Sequence, residues 1–493
     1  MRSAIVILAG LLALQACASA PAYRSAAVEV PASFREMRDS SRTAPAALSD
    51  AVAASYLAPA TSGTRSAPPD PSDRPVLSSD YWAPLGDTTL SRLIGAVQSA
   101  NLDVKAARAR VSAAHSDRVR QVLELTPSTL VSGSYARQRL SSATLPGASG
   151  VFPDQNVWDA GVTATWDLDI FGRIRQGVQA QGALVNVAQE ELRDVQVSFT
   201  AEVAAAYFEL RGAQEQLEVA RRNAENQRRT FEVTRQRLEA GRGSAFDTDR
   251  AQAQLSTTLA SIPAREAQVA AAQYRIGTLV GRSPTEVAQE LDQTGRLPAL
   301  PDVTTIDKPE VVVRSRPDVA AAERFAAAQG ALVGAAQASY LPRLSLGGSI
   351  GYASPQFDTW GNRGTLRYAV GPVLTWPGLN LGRVKAEVDA AQAREDAARA
   401  QYARVVLAAM QDVETSITRY RAARERLERL QEASTASERA AELAQLRFSE
   451  GVTDFLQVLD AERTQLDAQD RLAQGRIDAA TAYAQLYRAV GGK

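Results

Sequence analysis

One cysteine, one histidine and no surplus of either charge leave this 493-residue chain few ways to do covalent chemistry. A lone cysteine rules out a disulfide framework and any cysteine-based metal site. Lys+Arg and Asp+Glu both number 55, so no general basic surface invites nucleic acid. No phosphate-cradling Walker loop, nucleophile elbow or zinc-ligand spacing occurs. His115 sits in the polar stretch Ala114-His115-Ser116 and reads as a solvated helix residue. Neither an enzyme nor a metal or organic cofactor is expected. Aromatics make up only 6%, and proline is missing between Asp154 and Ile262 and again after Pro377. What is present is alanine in runs, mixed with Glu and Arg at helical periodicity, the composition of long packed helices.

The N-terminus carries the strongest local signal. Arg2 precedes an apolar run over residues 4–14, too short to span a bilayer as a helix, and residues 1–16 read as a secretory signal peptide. It ends in Leu14-Gln15-Ala16-Cys17, which resembles a bacterial lipobox and makes Cys17 the lipidation site, with covalent lipid as the one attached group. Two or three acyl chains at about 0.8 kcal/mol per buried methylene anchor a protein without a transmembrane helix. Cleavage after Ala18-Ser19-Ala20 is the alternative, with Pro21 an awkward neighbour for it. Residues 17–79 are rich in Pro, Ala and Ser (Ala67-Pro68-Pro69-Asp70-Pro71) and read as an acylated tether.

Residues 172–281 repeat as 382–491 at one offset (382 − 172 = 210). Gly172-Arg173 returns as Gly382-Arg383, and Arg211-x-Ala213-x-Glu215-x-Leu217-Glu218 as Arg421-x-Ala423-x-Glu425-x-Leu427-Glu428. Gly241 returns as Gly451, and Val280-Gly281 as Val490-Gly491. The chain therefore divides into a first structural repeat, 80–300, and a second, 301–493. Each repeat should hold a helix (88–123 and 317–339), two strands and a long helical hairpin. Residues 173–240 as one helix would reach about 100 Å at 1.5 Å per residue. Gly241 and Gly451 turn the chain at the hairpin tips, where glycine accepts the left-handed conformation past a helix end. Asp247 and Asp454 stand near the starts of the returning helices, at the positive end of the macrodipole.

Residues 158–170 alternate almost without fault. Trp158, Ala160, Val162, Ala164, Trp166, Leu168 and Ile170 face one way, and Asp159, Gly161, Thr163, Thr165, Asp167 and Asp169 the other. Leu344, Leu346, Ile350 and Tyr352 alternate likewise, as do Leu366, Tyr368, Val370, Leu374 and Trp376; residues 130–140 follow the pattern more weakly. Strands of about 10 residues suit a bilayer. A soluble hairpin packed on a core is the commoner use of such strands. Aromatics at the ends of the apolar faces (Trp158, Trp166, Tyr352, Trp376) instead match interfacial belts. Four strands cannot close a barrel, and an open edge in lipid leaves backbone groups unpaired. Three chains would give a 12-stranded barrel, which makes a homotrimer the expected assembly.

Taken together, Trp166-Asp167-Leu168-Asp169-Ile170-Phe171-Gly172-Arg173-Ile174-Arg175, its partner Trp376-Pro377-Gly378-Leu379-Asn380-Leu381-Gly382-Arg383, and the tip Arg447-Phe448-Ser449-Glu450-Gly451 through Val458-Leu459-Asp460-Ala461 resemble the TolC/OprM-type outer-membrane factors. The resemblance covers about residue 81 to the C-terminus. It implies a mainly α chain with membrane β-structure: four transmembrane strands per protomer in a trimeric barrel, and antiparallel coiled-coil helices forming a periplasmic α-barrel. It also implies docking of a periplasmic adaptor protein at the tip turns Gly241 and Gly451, and a gate beyond them. By position Asp460 matches a gate carboxylate, Gln457 the place of a second one, and Asp247 a first-repeat residue of the closing network. Phe448 and Thr453 stand where some members have a tyrosine and an arginine that latch that network, so this chain should close differently.

The expected function is a passive exit duct in the outer membrane, lipid-anchored, carrying drugs or other small molecules outward and driven by a proton-driven inner-membrane transporter. The duct of a type I protein secretion system is the alternative within that class. A periplasmic adaptor would have one hairpin and no membrane-type strands, and a structural coiled-coil lipoprotein would lack the aromatic-ended strands.

Overall fold

The computed structural model describes residues 81–139, 153–302 and 308–492; Cys17 and the tether lie outside them. In chain order the elements are α1 (Thr88–Ala100), α2 (Leu102–Leu123), β1 (Ser128–Gln138), β2 (Gln155–Asp167), α3 (Arg173–Glu239), α4 (Ala245–Leu279), α5 (Pro284–Glu290), α6 (Pro309–Ser315), α7 (Pro317–Ala338), β3 (Arg343–Ser354), β4 (Leu366–Thr375), α8 (Leu381–Ser449) and α9 (Phe455–Ala489). They fall into two compact units. One comprises Arg110–Gln189 and Ala321–Ala403 and holds the strands; the other comprises Glu190–Ala320, Arg404–Lys493 and the described part of Val28–Ala109. Both units draw on both halves of the chain.

The helices are as long as the missing prolines predict: α3 has 67 residues and α8 has 69. Pro263 sits inside α4 without ending it. The C-terminal ends of the four hairpin helices, α3, α4, α8 and α9, are closed by the same device. The Gly241 amide donates to Leu238 O and the Arg242 amide to Arg237 O (3.0 and 2.8 Å); Gly451 and Val452 repeat this on Phe448 and Arg447 at 3.0 and 2.8 Å. This paired arrangement satisfies carbonyls that the last helical turn leaves free, and it needs a left-handed residue, supplied by Gly241 (φ 64°) and Gly451 (φ 76°).

The helix expected over 88–123 is broken at Asn101. This residue is buried; its carboxamide oxygen accepts from the Val104 amide (2.9 Å), starting α2, while its Nδ2 donates to Leu279 O at 2.6 Å. Gly281 fits against the break, because a Cβ there would stand 2.4 Å from Ala100 O. The second repeat has the same joint. Arg316 separates α6 from α7, its Nη1 donates to Ala489 O (2.8 Å), and Gly491 packs on it. These joints stand 316 − 101 = 215 residues apart, whereas their acceptors stand 489 − 279 = 210 apart. The change of offset falls in the strand connections, which are 16 residues long (139–154) and 11 long (355–365), a difference of 16 − 11 = 5. Duplication thus runs further towards the N-terminus than the constant-offset stretch shows. Strand β2 ends at Asp167 rather than at Ile170, since Asp169 takes a positive φ of 42° and its carboxylate accepts the Ile174 and Arg175 amides (both 2.9 Å) to cap α3.

The core of the helical unit is aromatic. Trp82, Tyr207, Phe208, Tyr483 and Tyr487 are buried around Leu90 and Val97. Tyr81 and Tyr483 exchange hydrogen bonds, each hydroxyl donating to the other's carbonyl at 3.0 and 2.8 Å. The start of the described chain is thereby fastened to its last helix. Burial pushes the phenols of Tyr207 and Tyr487 up to about 12.

Candidate functional site

The four strands form one antiparallel sheet in the order β1-β2-β3-β4, so the hairpins of the two repeats meet at the β2–β3 pair. The register places like residues in rows. Val131, Val162, Ile350 and Tyr368 run across all four strands on one face; Ser132, Gly161, Gly351 and Arg367 run across the other. The middle of the apolar face is uncovered: Val131, Tyr368 and Val370 are each about three quarters exposed. A soluble sheet would cover such a face; large exposed apolar surface marks an interface or a membrane. The opposite face is small and polar, with Thr163, Thr165, Ser345 and Ser349 alongside an Asp159–Arg367 ion pair of 2.6 Å. Leu130 and Val373 are apolar exceptions on it.

Strands of 10 to 13 residues have bilayer length, and aromatic residues mark both ends. At the helix end the indole of Trp166 donates to Leu125 O (2.8 Å) and that of Trp376 to Tyr340 O (3.0 Å), the same contact in each repeat. At the loop end Trp158 packs tilted against Tyr135 at 4.4 Å and edge-on against Phe357 at 5.0 Å. Gly161 and Gly351 let β2 and β3 approach closely on the polar face; a Cβ on Gly351 would stand 2.5 Å from Ala160 O. Among the described residues no helix is long and apolar enough to cross a membrane.

The tip is built from the ends of α3 and α8 and the starts of α4 and α9. Ser244 caps α4 through the Phe246 amide (3.1 Å), and Asp454 caps α9 through the Gln457 amide (3.2 Å). Phe455 and Val458 are buried with Ala251, against Phe231, Phe448 and Leu459. Of the expected gate residues, Gln457 and Asp460 lie three residues apart near the start of α9, both exposed, while Asp247 is half-buried in the first turn of α4. The structure does not join them. Among the described residues, the tip's ion pairs lie on α3 (Arg228–Glu225, Arg235–Glu232), and none involves Asp247 or Asp460. Thr453 Oγ1 is buried without a hydrogen-bond partner among the described residues.

The link across the tip is one that sequence reasoning missed. Arg237 of α3 lies 4.1 Å above the Phe448 ring, and its Nη2 donates to Phe448 O (3.0 Å) and Ser449 O (3.4 Å). A guanidinium at the carbonyl end of α8 adds a charged donor to the Phe448 carbonyl, which already accepts from Gly451, reaches the Ser449 carbonyl, and meets the negative end of the helix dipole. Deeper in the bundle Glu462 is buried on α9 and accepts from Thr230 (2.9 Å) and Gln445 (2.8 Å), and Arg265 pairs with Asp470 at 2.6 Å. Burial raises the Asp470 carboxyl above its usual range against the pull of Arg265. His115 is exposed on α2, and among the described residues no group of His, Cys, Asp or Glu is placed to hold a metal ion.

Long strands with an uncovered apolar face, joined to very long helical hairpins, define a membrane channel protein of the outer-membrane kind. The chain belongs to the outer membrane efflux protein family, which it matches over residues 93–282 and 309–492. It is 34% identical to the outer-membrane channel OprN, whose structure it follows with a TM-score of 0.82 over 97% of this chain and 99% of that one. It is 28% identical over 422 residues to outer membrane protein OprJ of Pseudomonas aeruginosa, covering 84% of this chain and 86% of that one. Nodulation protein T of Rhizobium leguminosarum bv. trifolii is 26% identical over 416 residues, 83% of this chain and 87% of that one. The chain is an efflux exit duct in the outer membrane, with its helices in the periplasm.

Proposed function

We propose that three copies close a 12-stranded barrel and act as a passive, non-enzymatic conduit for drugs or other small molecules. The observation that carries this is a sheet exposed on its apolar face and open at both edges. About half the backbone groups of β1 and of β4 point away from their one partner, and in hydrocarbon each unpaired group costs several kcal/mol. Pairing β4 of one chain with β1 of the next satisfies both edges, and three such joints close the ring.

In this reading Cys17 carries the lipid anchor, and an adaptor docks at the turns of Gly241 and Gly451. A proton-driven inner-membrane transporter supplies the energy and selects the cargo. Asp460 and Gln457 rim the aperture, with Asp247 behind them. The test combines mass and conductance. The purified protein in mild detergent should have the mass of three chains and conduct ions in planar bilayers. A single-chain mass with no conductance overturns the proposal.

A further inference from the structure

Beyond the duct, the apolar face ends in a feature that nothing in the transport reading uses. Arg137 follows Tyr135 at the loop end of β1 and keeps its facing, since Tyr135 pairs with Trp158 and Arg137 with Asn156 in the same alternation, and Arg139 comes just beyond the strand. Both guanidiniums share one carboxylate: Arg137 lies 3.3 Å and Arg139 2.6 Å from Asp154. The cluster therefore keeps one net positive charge, and both arginines remain more than half exposed. Directly beside it the Tyr135–Trp158–Phe357 ring cluster marks where the apolar band ends. Aromatic residues of that kind sit at headgroup depth.

We propose that Arg137 and Arg139 bind a phosphate-bearing lipid headgroup of the outer leaflet, resting on the reading of the sheet as the membrane wall. The side follows from topology. β1 and β2 join the helices α2 and α3 at one end, so the end holding Arg137, Arg139 and Asp154 is the one away from the periplasm. Arginine forks match phosphate oxygens in paired hydrogen bonds, and a weakly hydrated guanidinium tolerates the interface better than an ammonium. Asp154 holds the two side chains towards each other while leaving donors on both free. The acyl chains of the same lipid would lie along Val131, Val162 and Ile350, continuous with the site.

The test titrates the full-length protein in detergent micelles with diphosphoryl lipid A, with the dephosphorylated lipid and with inorganic phosphate, reading the thermal midpoint. Diphosphoryl lipid A should raise the midpoint of the wild type more than the dephosphorylated lipid does, and inorganic phosphate should not raise it. R137Q/R139Q should weaken lipid A binding by about fivefold per arginine removed. D154N, which frees both guanidiniums, should strengthen it; a merely structural cluster would lose stability and gain nothing. Equal lipid A responses in wild type and R137Q/R139Q overturn the site, as does an equal rise with inorganic phosphate, which would mark a free-anion site. Should R137Q/R139Q not assemble, D154N alone decides. A failure of the membrane reading itself shows separately, as loss of conductance in the wild type.

Discussion

Removing the Arg237 guanidinium tests whether the tip is held by the contact with α8 that the structure shows. In Arg237→Ala the Phe448 ring loses a cation 4.1 Å away, and the Phe448 and Ser449 carbonyls lose a charged donor at 3.0 and 3.4 Å. A partly exposed cation–π contact contributes about 0.5–1 kcal/mol, and a hydrogen bond from a charged group about 1.5 kcal/mol at the low end. Their combined loss, about 2 kcal/mol, shifts a closed-to-open ratio of one tip roughly 30-fold, and the shift compounds if three tips open together. Adaptor-free conductance in planar bilayers reads the shift directly. Entry of a bulky antibiotic into cells lacking the adaptor reads it in vivo. Arg237→Lys should fall between, because an ammonium keeps the charge and one donor but not the flat stacking geometry. Equal conductance for wild type and Arg237→Ala, at equal trimer yield, would refute the assignment of the latch.

Asp460→Ala should raise leak conductance several-fold if its ring lines the aperture; unchanged permeability places the constriction elsewhere. Gly351→Val forces a side chain where a Cβ already meets Ala160 O at 2.5 Å, so it should cost about 1–3 kcal/mol and lower the yield of assembled barrel, read by heat-resistant oligomer on gels. Alkaline pH should weaken the aromatic core. Burial holds the Tyr207 and Tyr487 phenols at about 12, above the usual 10 of the unfolded chain, so folding favours their protonated forms. That stability is whole below pH 10 and is lost as pH rises towards 12, about 2–3 kcal/mol per tyrosine. Urea midpoints at rising pH should fall over that window, and Tyr487→Phe should flatten the fall.

Much of this was legible because it depends on neighbours in sequence. The proline-free stretches gave the long helices, the alternation from Trp158 gave the two faces of the sheet, and Gly241 and Gly451 gave the turns. Each is a short-range property of the backbone. What was not legible depends on distant partners. Asn101 breaks a helix because Leu279 O, 178 residues away, accepts its side chain. Arg316 makes the same joint with different chemistry, so residue identity could not reveal the repeat there. The Arg237–Phe448 contact joins residues 211 apart and lies on no motif. For the gate, the position of Asp460 near the start of α9 was readable, but its relation to Asp247 was not, because it depends on contacts between helices that no local pattern encodes.

The two repeats are near-twins at the tip, and where they differ bears on how the duct would open. At the offset of 210, Arg237 corresponds to Arg447 and Phe448 to Leu238. Within a chain, Arg237 therefore finds an aromatic ring. In a ring of alternating hairpins the equivalent contact between chains would set Arg447 against Leu238 of the next copy, where the guanidinium finds no π-face. Arg447 and Leu238 are both exposed in the single chain, as such a seam requires before assembly. The seams between chains are then weaker than those within them by the ring contact, about 0.5–1 kcal/mol each. Opening should begin by parting the tips at three inter-chain seams, with the contact between each chain's two hairpins yielding only as the aperture opens fully. Leu238→Phe supplies the missing ring. It should lower adaptor-free conductance and slow efflux in cells, while Leu238→Ile, which adds no ring, should do neither. If Leu238→Phe leaves conductance and efflux at wild-type levels, the seams are equivalent and the Arg237–Phe448 contact does not set where the aperture divides.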